Sequence, residues 1–281
     1  MKLRKATAAT AALLLPLTAA VAGCGANGDG GGQTEGGKDT ITVGIKYDQP
    51  GIGLKTPDGE YTGFDVDVAT YIAKQLGYEP DRIVWKEAKS ADRETLLQRG
   101  DVDFIAASYS INDERRKKVD FAGPYLLAHQ DVLVRADDDS ITEPSDLNDK
   151  KLCSVTGSTS AQNIKTKIAP QAQLQEYGGY SECLTGLENK AVDALTTDDS
   201  ILAGYAAQDQ FEGKFKLGGF KLSDENYGIG VPKGDDELKN KINSALEKMV
   251  ADGTWEAYVK KNFGPAAYRN EPPPKIGVVV S

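Results

Sequence analysis

The chain has 281 residues, with 33 lysines and arginines against 42 aspartates and glutamates and a formal net charge of −9. That length allows one large domain or two of ordinary size, and the acidic balance argues against nucleic acid or an anionic lipid surface as partner. With three cysteines, one histidine and no close Cys pair, a Cys–His metal site is poorly supported and no cofactor is called for.

In chain order, the first segment reads as a targeting sequence rather than as part of the fold. Lys2, Arg4 and Lys5 make a basic start, residues 11–17 are apolar, and Val21-Ala22-Gly23 is a small-residue approach to a cleavage site. Cys24 follows directly, and this arrangement resembles the lipobox of bacterial lipoproteins, whose cysteine takes a diacylglycerol thioether. Residues 1–23 are thus expected to be a signal peptide, and Cys24 the lipid attachment point. Their removal leaves the remainder three charges more acidic than the whole chain. Residues 25–37 are almost entirely glycine with small polar and acidic residues, a composition that acts as a flexible leash. No later apolar run approaches the roughly 20 residues of a membrane span, so the protein is expected to be exported and tethered at the outer face of the membrane.

The folded part opens with alternating Ile41, Val43 and Ile45, a strand ending near Lys46. Ala69, Ile72, Ala73 and Leu76 recur at helical spacing over residues 64–76, and Gly77 is placed as a C-terminal stop. A strand over 82–87, a short helix over 92–99 and a strand over 102–107 follow. That last strand ends in Ser108, Tyr109 and Ser110, with Arg115 five residues on. Donors just past the carboxyl end of a strand face the crevice of an open α/β sheet, and an arginine fork suits a carboxylate bidentately. A surface arginine in a charged turn is the competing reading, since Arg116, Lys117 and Lys118 come next.

A second series begins after Val132-Leu133-Val134. Strands are expected over 152–155, 173–177, 191–196 and 227–231. Helices are expected from the small polar loop at 157–160 to about Ile168, and over 181–188, 200–207, 235–250 and 254–262. The tail from Asn270, with Pro272-Pro273-Pro274, is an irregular strap or disordered. Alternating strands and helices imply an α/β fold with parallel pairing, arranged as two lobes. Residues 40–128 with 226–268 form the first lobe, residues 129–225 the second, and residues 269–281 a tail. The chain leaves the first lobe near Leu127 and returns near Glu225, so two crossings make a hinge and the cleft between lobes is the default site. If Cys24 is lipidated, Cys153 and Cys183 remain as a pair in an oxidising compartment and are expected to form a disulfide, two free buried thiols being the alternative. His129, in the first crossing, reads as structural or solvent-facing.

Several segments match one family in order. These are Gly63-Phe64-Asp65-Val66-Asp67-Val68 with Ile72-Ala73 and Leu76, Asp113-Glu114-Arg115, Val119-Asp120-Phe121, and Thr156-Gly157-Ser158-Thr159. Asp193-Ala194 leading to Asp198, Tyr227-Gly228-Ile229 and Pro232-Lys233-Gly234 continue the series. Over about residues 40–265 the chain resembles bacterial extracellular solute-binding protein family 3, the polar-amino-acid binders of ABC importers. The resemblance implies a type II periplasmic-binding-protein-like clamshell that captures an amino acid and hands it to a permease and its ATPase, acting as a monomer. It places the α-carboxylate grip on Arg115 with Ser110, and backbone amides and Thr159 on the other lobe. It places the ammonium anchor on Asp198, helped by the Ser108 carbonyl. Asp199, beside it, competes as a helix cap.

Side-chain recognition falls on Lys46, at the end of the first strand, and on Arg93 in Ser90-Ala91-Asp92-Arg93, which resembles the same stretch of glutamate/aspartate binders. Ser90 stands where many relatives stack an aromatic ring. The run Tyr47-Asp48-Gln49-Pro50 resembles lipoprotein glutamate binders of Gram-positive bacteria. Cations at one end of the pocket favour a second carboxylate, so glutamate, with aspartate close behind. Glutamine or another polar amino acid is the alternative ligand. The alternative classes are a dehydratase-like enzyme, with Asp48, Asp198 or Glu225 as general acid, and a sensor module sharing the same site.

Overall fold

In the computed structural model, which describes residues 39–280, the alternating segment after Thr40 becomes strand β1 (Ile41–Ile45), with Val43 and Ile45 fully buried. The leader, Cys24 and the glycine-rich linker lie outside the described residues. A small antiparallel sheet follows, made of β2 (Asp48–Gln49), β3 (Gly53–Lys55) and β4 (Tyr61–Thr62). Helix α1 (Phe64–Gln75) buries Phe64, Val68, Ala69, Ile72 and Ala73 on one face. Its entry is Gly63, at φ +120°, where a Cβ would lie 2.3 Å from the Ile52 carbonyl oxygen, so only glycine fits. Then come β5 (Ile83–Glu87), α2 (Arg93–Gln98), β6 (Phe104–Ile105) and the short α3 (Asp113–Arg116).

The next strand, β7 (Asp120–Arg135), is 16 residues long. It leads into β8 (Lys151–Val155), α4 (Thr159–Asn163), β9 (Gln173–Tyr177), α5 (Tyr180–Glu188), β10 (Ala194–Asp198) and α6 (Asp199–Ala206). A π-type turn over Ile164–Ile168 extends α4, completing the helical stretch expected there. The remaining elements are β11 (Phe215–Leu217), β12 (Ser223–Val231), α7 (Asp236–Ala251) and α8 (Thr254–Phe263). None of the helices among the described residues is long and apolar enough to cross a membrane.

One sheet runs through the molecule in the order β5-β1-β6-β12-β7-β10-β8-β9, with β11 added to β7. Strands β5, β1 and β6 are parallel, as are β10, β8 and β9. These parallel groups belong to different lobes, and the antiparallel pair β7–β12 passes through both. The two crossings, expected near Leu127 and near Glu225, therefore fall within long strands, and β12 begins four residues before the strand expected over 227–231. The polar stretch His129-Gln130-Asp131 hides the continuity, because these buried side chains find local partners. Gln130 donates to the Ser160 carbonyl and to Thr196 Oγ1, and Asp131 accepts from the backbone N–H groups of Val132, Gly219 and Phe220. Between Tyr227, opposite Leu126, and Ile229, opposite Ala122, the register of the ladder shifts.

Two of the three hydrophobic clusters lie within a single lobe. Ala88, Leu97, Val102, Ile105, Ala107, Tyr109 and Val119 form a cluster under α2, and Val132, Val134, Ile141, Leu147, Leu152, Ile164, Ala169 and Ala194 form one in the second lobe. A larger cluster runs from α1, α7 and α8 through the ribbon to Cys153, Leu184 and Leu195. Cys153 and Cys183 are joined as a disulfide, with Cα atoms 5.5 Å apart, tying α5 to β8. The tail is a strap rather than a disordered end. Gly277 N–H donates to the Gly123 carbonyl, and Val280 exchanges hydrogen bonds with the Asn226 side chain at 2.8 and 3.1 Å. His129 is structural: its ring lies between the Asp224 and Glu271 carboxylates, at 2.9 and 3.1 Å.

Candidate functional site

The end of β6 supplies the first lobe's half of the cleft. The expected strand over 102–107 pairs only at Phe104–Ile105, because the backbone turns at Ser108, which sits at φ +43°. What holds that conformation is Asp65 of α1. Its buried carboxylate accepts the Ser108 N–H at 2.7 Å and the Tyr125 hydroxyl at 2.6 Å. Burial pushes the Asp65 carboxyl up to about 6, against the pull of those two hydrogen bonds. Ser108 Oγ donates to Gln49 Oε1 at 3.1 Å, while the Ser108 carbonyl, expected on the ligand ammonium, accepts from Arg93 Nη1 at 3.2 Å.

Arg115 is 7 % exposed and so is not a surface charge. Asn112 caps the turn of α3 that carries it, accepting the Arg115 N–H at 2.9 Å. Its guanidinium donates to the carbonyls of Ser110, at 2.7 Å, and of Gly157 in the other lobe, at 3.1 Å. Glu94 lies 3.6 Å from its Nε. Burial and the neighbouring Arg93 pull the Arg115 guanidinium down to about 10.

The second lobe answers with the N-terminal turn of α4 and the end of β10. Ser158 caps α4 by accepting the Ala161 N–H, and Thr159 Oγ comes within 3.4 Å of Ser110 Oγ across the cleft. Thr159 donates to Glu225 of the hinge strand at 2.8 Å. Asp198 accepts the Tyr227 hydroxyl at 2.5 Å and Ser160 Oγ at 3.4 Å, and does not cap its own helix. Burial, then the charge of Glu225, pushes the Asp198 carboxyl up to about 8. Asp199 has the structural role, accepting the N–H groups of His129 and Ser200 and the Tyr268 hydroxyl.

At the far end of the first lobe, Lys46 Nζ donates to Ser90 Oγ at 2.7 Å. Lys46 and Arg93 are 4 % and 1 % exposed. Arg93 Nη1 also donates to the Ala107 carbonyl at 2.9 Å, its guanidinium lies 4.1 Å from the Tyr109 ring centre, and its Nε has no hydrogen-bond partner among the described residues. Burial, then repulsion from Arg93, brings the Lys46 ammonium down to about 7.

Arg115 and Ser110 of the first lobe meet Gly157 and Thr159 of the second, and Asp198 lies beside Ser160 and Tyr227, while Lys46 pairs with Ser90 and Arg93 with the Ser108 carbonyl within the first lobe. Asp65 was not expected among the site residues, and Glu225 was named there only as a general-acid candidate of the alternative enzyme reading. Asp65 was legible only as part of the motif Gly63-Phe64-Asp65-Val66-Asp67-Val68. Buried cations (Lys46, Arg93, Arg115) and buried carboxylates (Asp198, Glu225) can pair with ligand groups of either sign.

Residues 41–265 match the model of the bacterial extracellular solute-binding proteins, family 3. The chain belongs to this family. It is accordingly a substrate-binding protein of a transport family and not an enzyme. The glutamate-binding protein GluB of Corynebacterium efficiens is 47% identical over 272 residues, covering 93% of this chain and 91% of that protein. The ABC transporter glutamine-binding protein GlnH of Bacillus subtilis is 39% identical, covering 86% and 91%. Among solved structures, an ancestral arginine-binding protein bound to arginine superposes with a TM-score of 0.75 at 37% identity, covering 81% of this chain and 99% of that one. The family and these likenesses agree with the two-lobe, type II clamshell described above.

Proposed function

We propose that the protein captures L-glutamate in the interlobe cleft and delivers it to an ABC permease from a lipid anchor on Cys24 at the extracellular face of the membrane. The observation that carries the choice of ligand is the buried pair Lys46 and Arg93, beside Ser90 and additional to the neighbouring Arg115, with Arg93 Nε unpartnered among the described residues. Burying cations without an anion is costly. A γ-carboxylate satisfies both, whereas a neutral amide leaves them uncompensated and a cationic side chain adds repulsion. The similarity to the glutamate-binding protein of C. efficiens supports the same reading.

In this scheme Arg115 and Ser110 take the α-carboxylate from the first lobe. Thr159 and the amides at the start of α4 complete that grip from the second lobe, where free N–H groups favour an anion. Asp198 receives the ammonium. Because the ligand touches both lobes, it favours the closed form by the extra contacts made there, and the closed form is what a permease recognises.

Calorimetric titration with L-glutamate, L-aspartate, L-glutamine and L-arginine tests the ligand. Glutamate should bind most tightly, and Arg93→Ala and Lys46→Ala should each weaken it by about 10²-fold or more while narrowing its advantage over glutamine. Tighter binding of glutamine or arginine by the unaltered protein overturns the reading. The anchor is tested separately: fatty-acid labelling should be lost, and the protein released to the medium, in Cys24→Ala.

A further inference from the structure

The lobes also meet at a place outside the side chains proposed to hold the ligand. Asp48, in β2 of the first lobe, reaches across to the second. Its Oδ2 accepts the N–H of Tyr180, the first residue of α5, at 2.9 Å, and its carbonyl accepts the hydroxyl of Tyr205 in α6. The disulfide to β8 holds α5 in place beneath this contact.

The facing surface of the second lobe is bare where the hairpin touches it. A Cβ on Gly179 would lie 2.5 Å from Asp48 Oδ2, and a Cβ on Gly204 would lie 2.0 Å from the Pro50 carbonyl oxygen. Neither glycine is required by its backbone. Gly179 is extended, at φ −143°, and Gly204 sits inside α6, where glycine is a poor helix former. Close approach of the other lobe is the physical reason for both.

We infer that Asp48–Pro50 and the glycines Gly179 and Gly204 form an interlobe latch, with Asp48 as a positioning residue that sets how long the cleft stays shut. This rests on the proposed reading that the lobes close on an amino acid. A latch acts after the ligand has docked on the first lobe, so it governs the dissociation rate and leaves the association rate nearly unchanged.

The test is stopped-flow glutamate binding and interlobe energy transfer on Asp48→Ala, Asp48→Asn, Gly179→Ala and Gly204→Ala. Asp48→Ala, Gly179→Ala and Gly204→Ala should each raise the dissociation rate by about tenfold or more, with association within about twofold. Asp48→Asn keeps an acceptor for the Tyr180 N–H and should stay within about threefold of the unaltered protein. Gly204→Ala should melt no lower than the parent, because alanine strengthens the helix, so a loss of affinity there cannot be a loss of folding. Unchanged dissociation in Asp48→Ala and Gly179→Ala overturns the latch, as does a dissociation change matched by a fall in melting temperature in every variant. The interlobe distance distribution without added amino acid separates this result from the choice of ligand. The unaltered protein should visit the short distance and Gly204→Ala should lose it, whichever amino acid binds; equal distributions also overturn the latch.

Discussion

Lys46 and Asp198 enter the cleft with their acid–base equilibria displaced toward one another. Burial and Arg93 hold the Lys46 ammonium near 7, and burial with Glu225 holds the Asp198 carboxyl near 8. An acidic amino acid needs Lys46 protonated and Asp198 ionised. Below about 8 the free protein must release a proton from Asp198, and above about 7 it must take one up on Lys46. Glutamate affinity should therefore peak between these values and fall toward about tenfold per pH unit on either side. Calorimetry across pH 5 to 10 checks this, and a flat profile would show that neither group meets the ligand's charges. Asp65 acts at the same scale without facing the ligand, by fixing the turn at Ser108. Asp65→Ala orphans a buried N–H and a buried hydroxyl, so it should cost about 2–5 kcal/mol of stability, read from urea unfolding.

Elements built on a strong helical period were readable in advance, and α1, α7 and α8 lie within a residue or two of their expected bounds. Strands β2 to β4 were not, because two or three residues are too few to display alternation. Strand β7 was readable only in part, since its middle is polar and its partners lie far away in the chain. Among the cleft residues, Arg115 stood out by its place after a strand, while Asp198 and Thr159 took their roles from the family pattern. Asp48 and Glu225 were readable only as acids of the alternative enzyme reading, because their partners Tyr180 and Thr159 lie 132 and 66 residues away. The disulfide also belongs to this scale, because it joins α5 to β8 across 30 residues. Replacing Cys153 and Cys183 by serine should lower stability by about 3–4 kcal/mol from the loop closed, seen as a lower denaturant midpoint.

The same buried charges shape the stability of the whole molecule. Asp198 and Asp65 have folded-state values raised above the usual 3.8, so the folded protein holds extra protons and loses stability as pH rises toward about 6 for Asp65 and about 8 for Asp198. Lys46 has its value lowered from 10.5 to about 7, so stability is regained as pH rises between those limits. The protein without amino acid should thus show a shallow minimum of melting temperature near pH 7–8, and the rise in melting temperature on adding glutamate should be greatest there. Thermal unfolding over that range, with and without glutamate, is the measurement. By itself the sequence determined the α/β class, the two-lobe order, the helices and the family, because these rest on local periodicity and on motifs contiguous in the chain. Only the tertiary structure decided that both crossings are long strands of one sheet, that the tail is a strap, and that Lys46, Arg93, Arg115 and Asp198 are buried. It also decided that Arg115, an even choice between grip and surface charge when read alone, is shielded from solvent. Burial and charge coupling are set by what folds against a residue, and those neighbours come from segments too distant in the chain for any local pattern to announce.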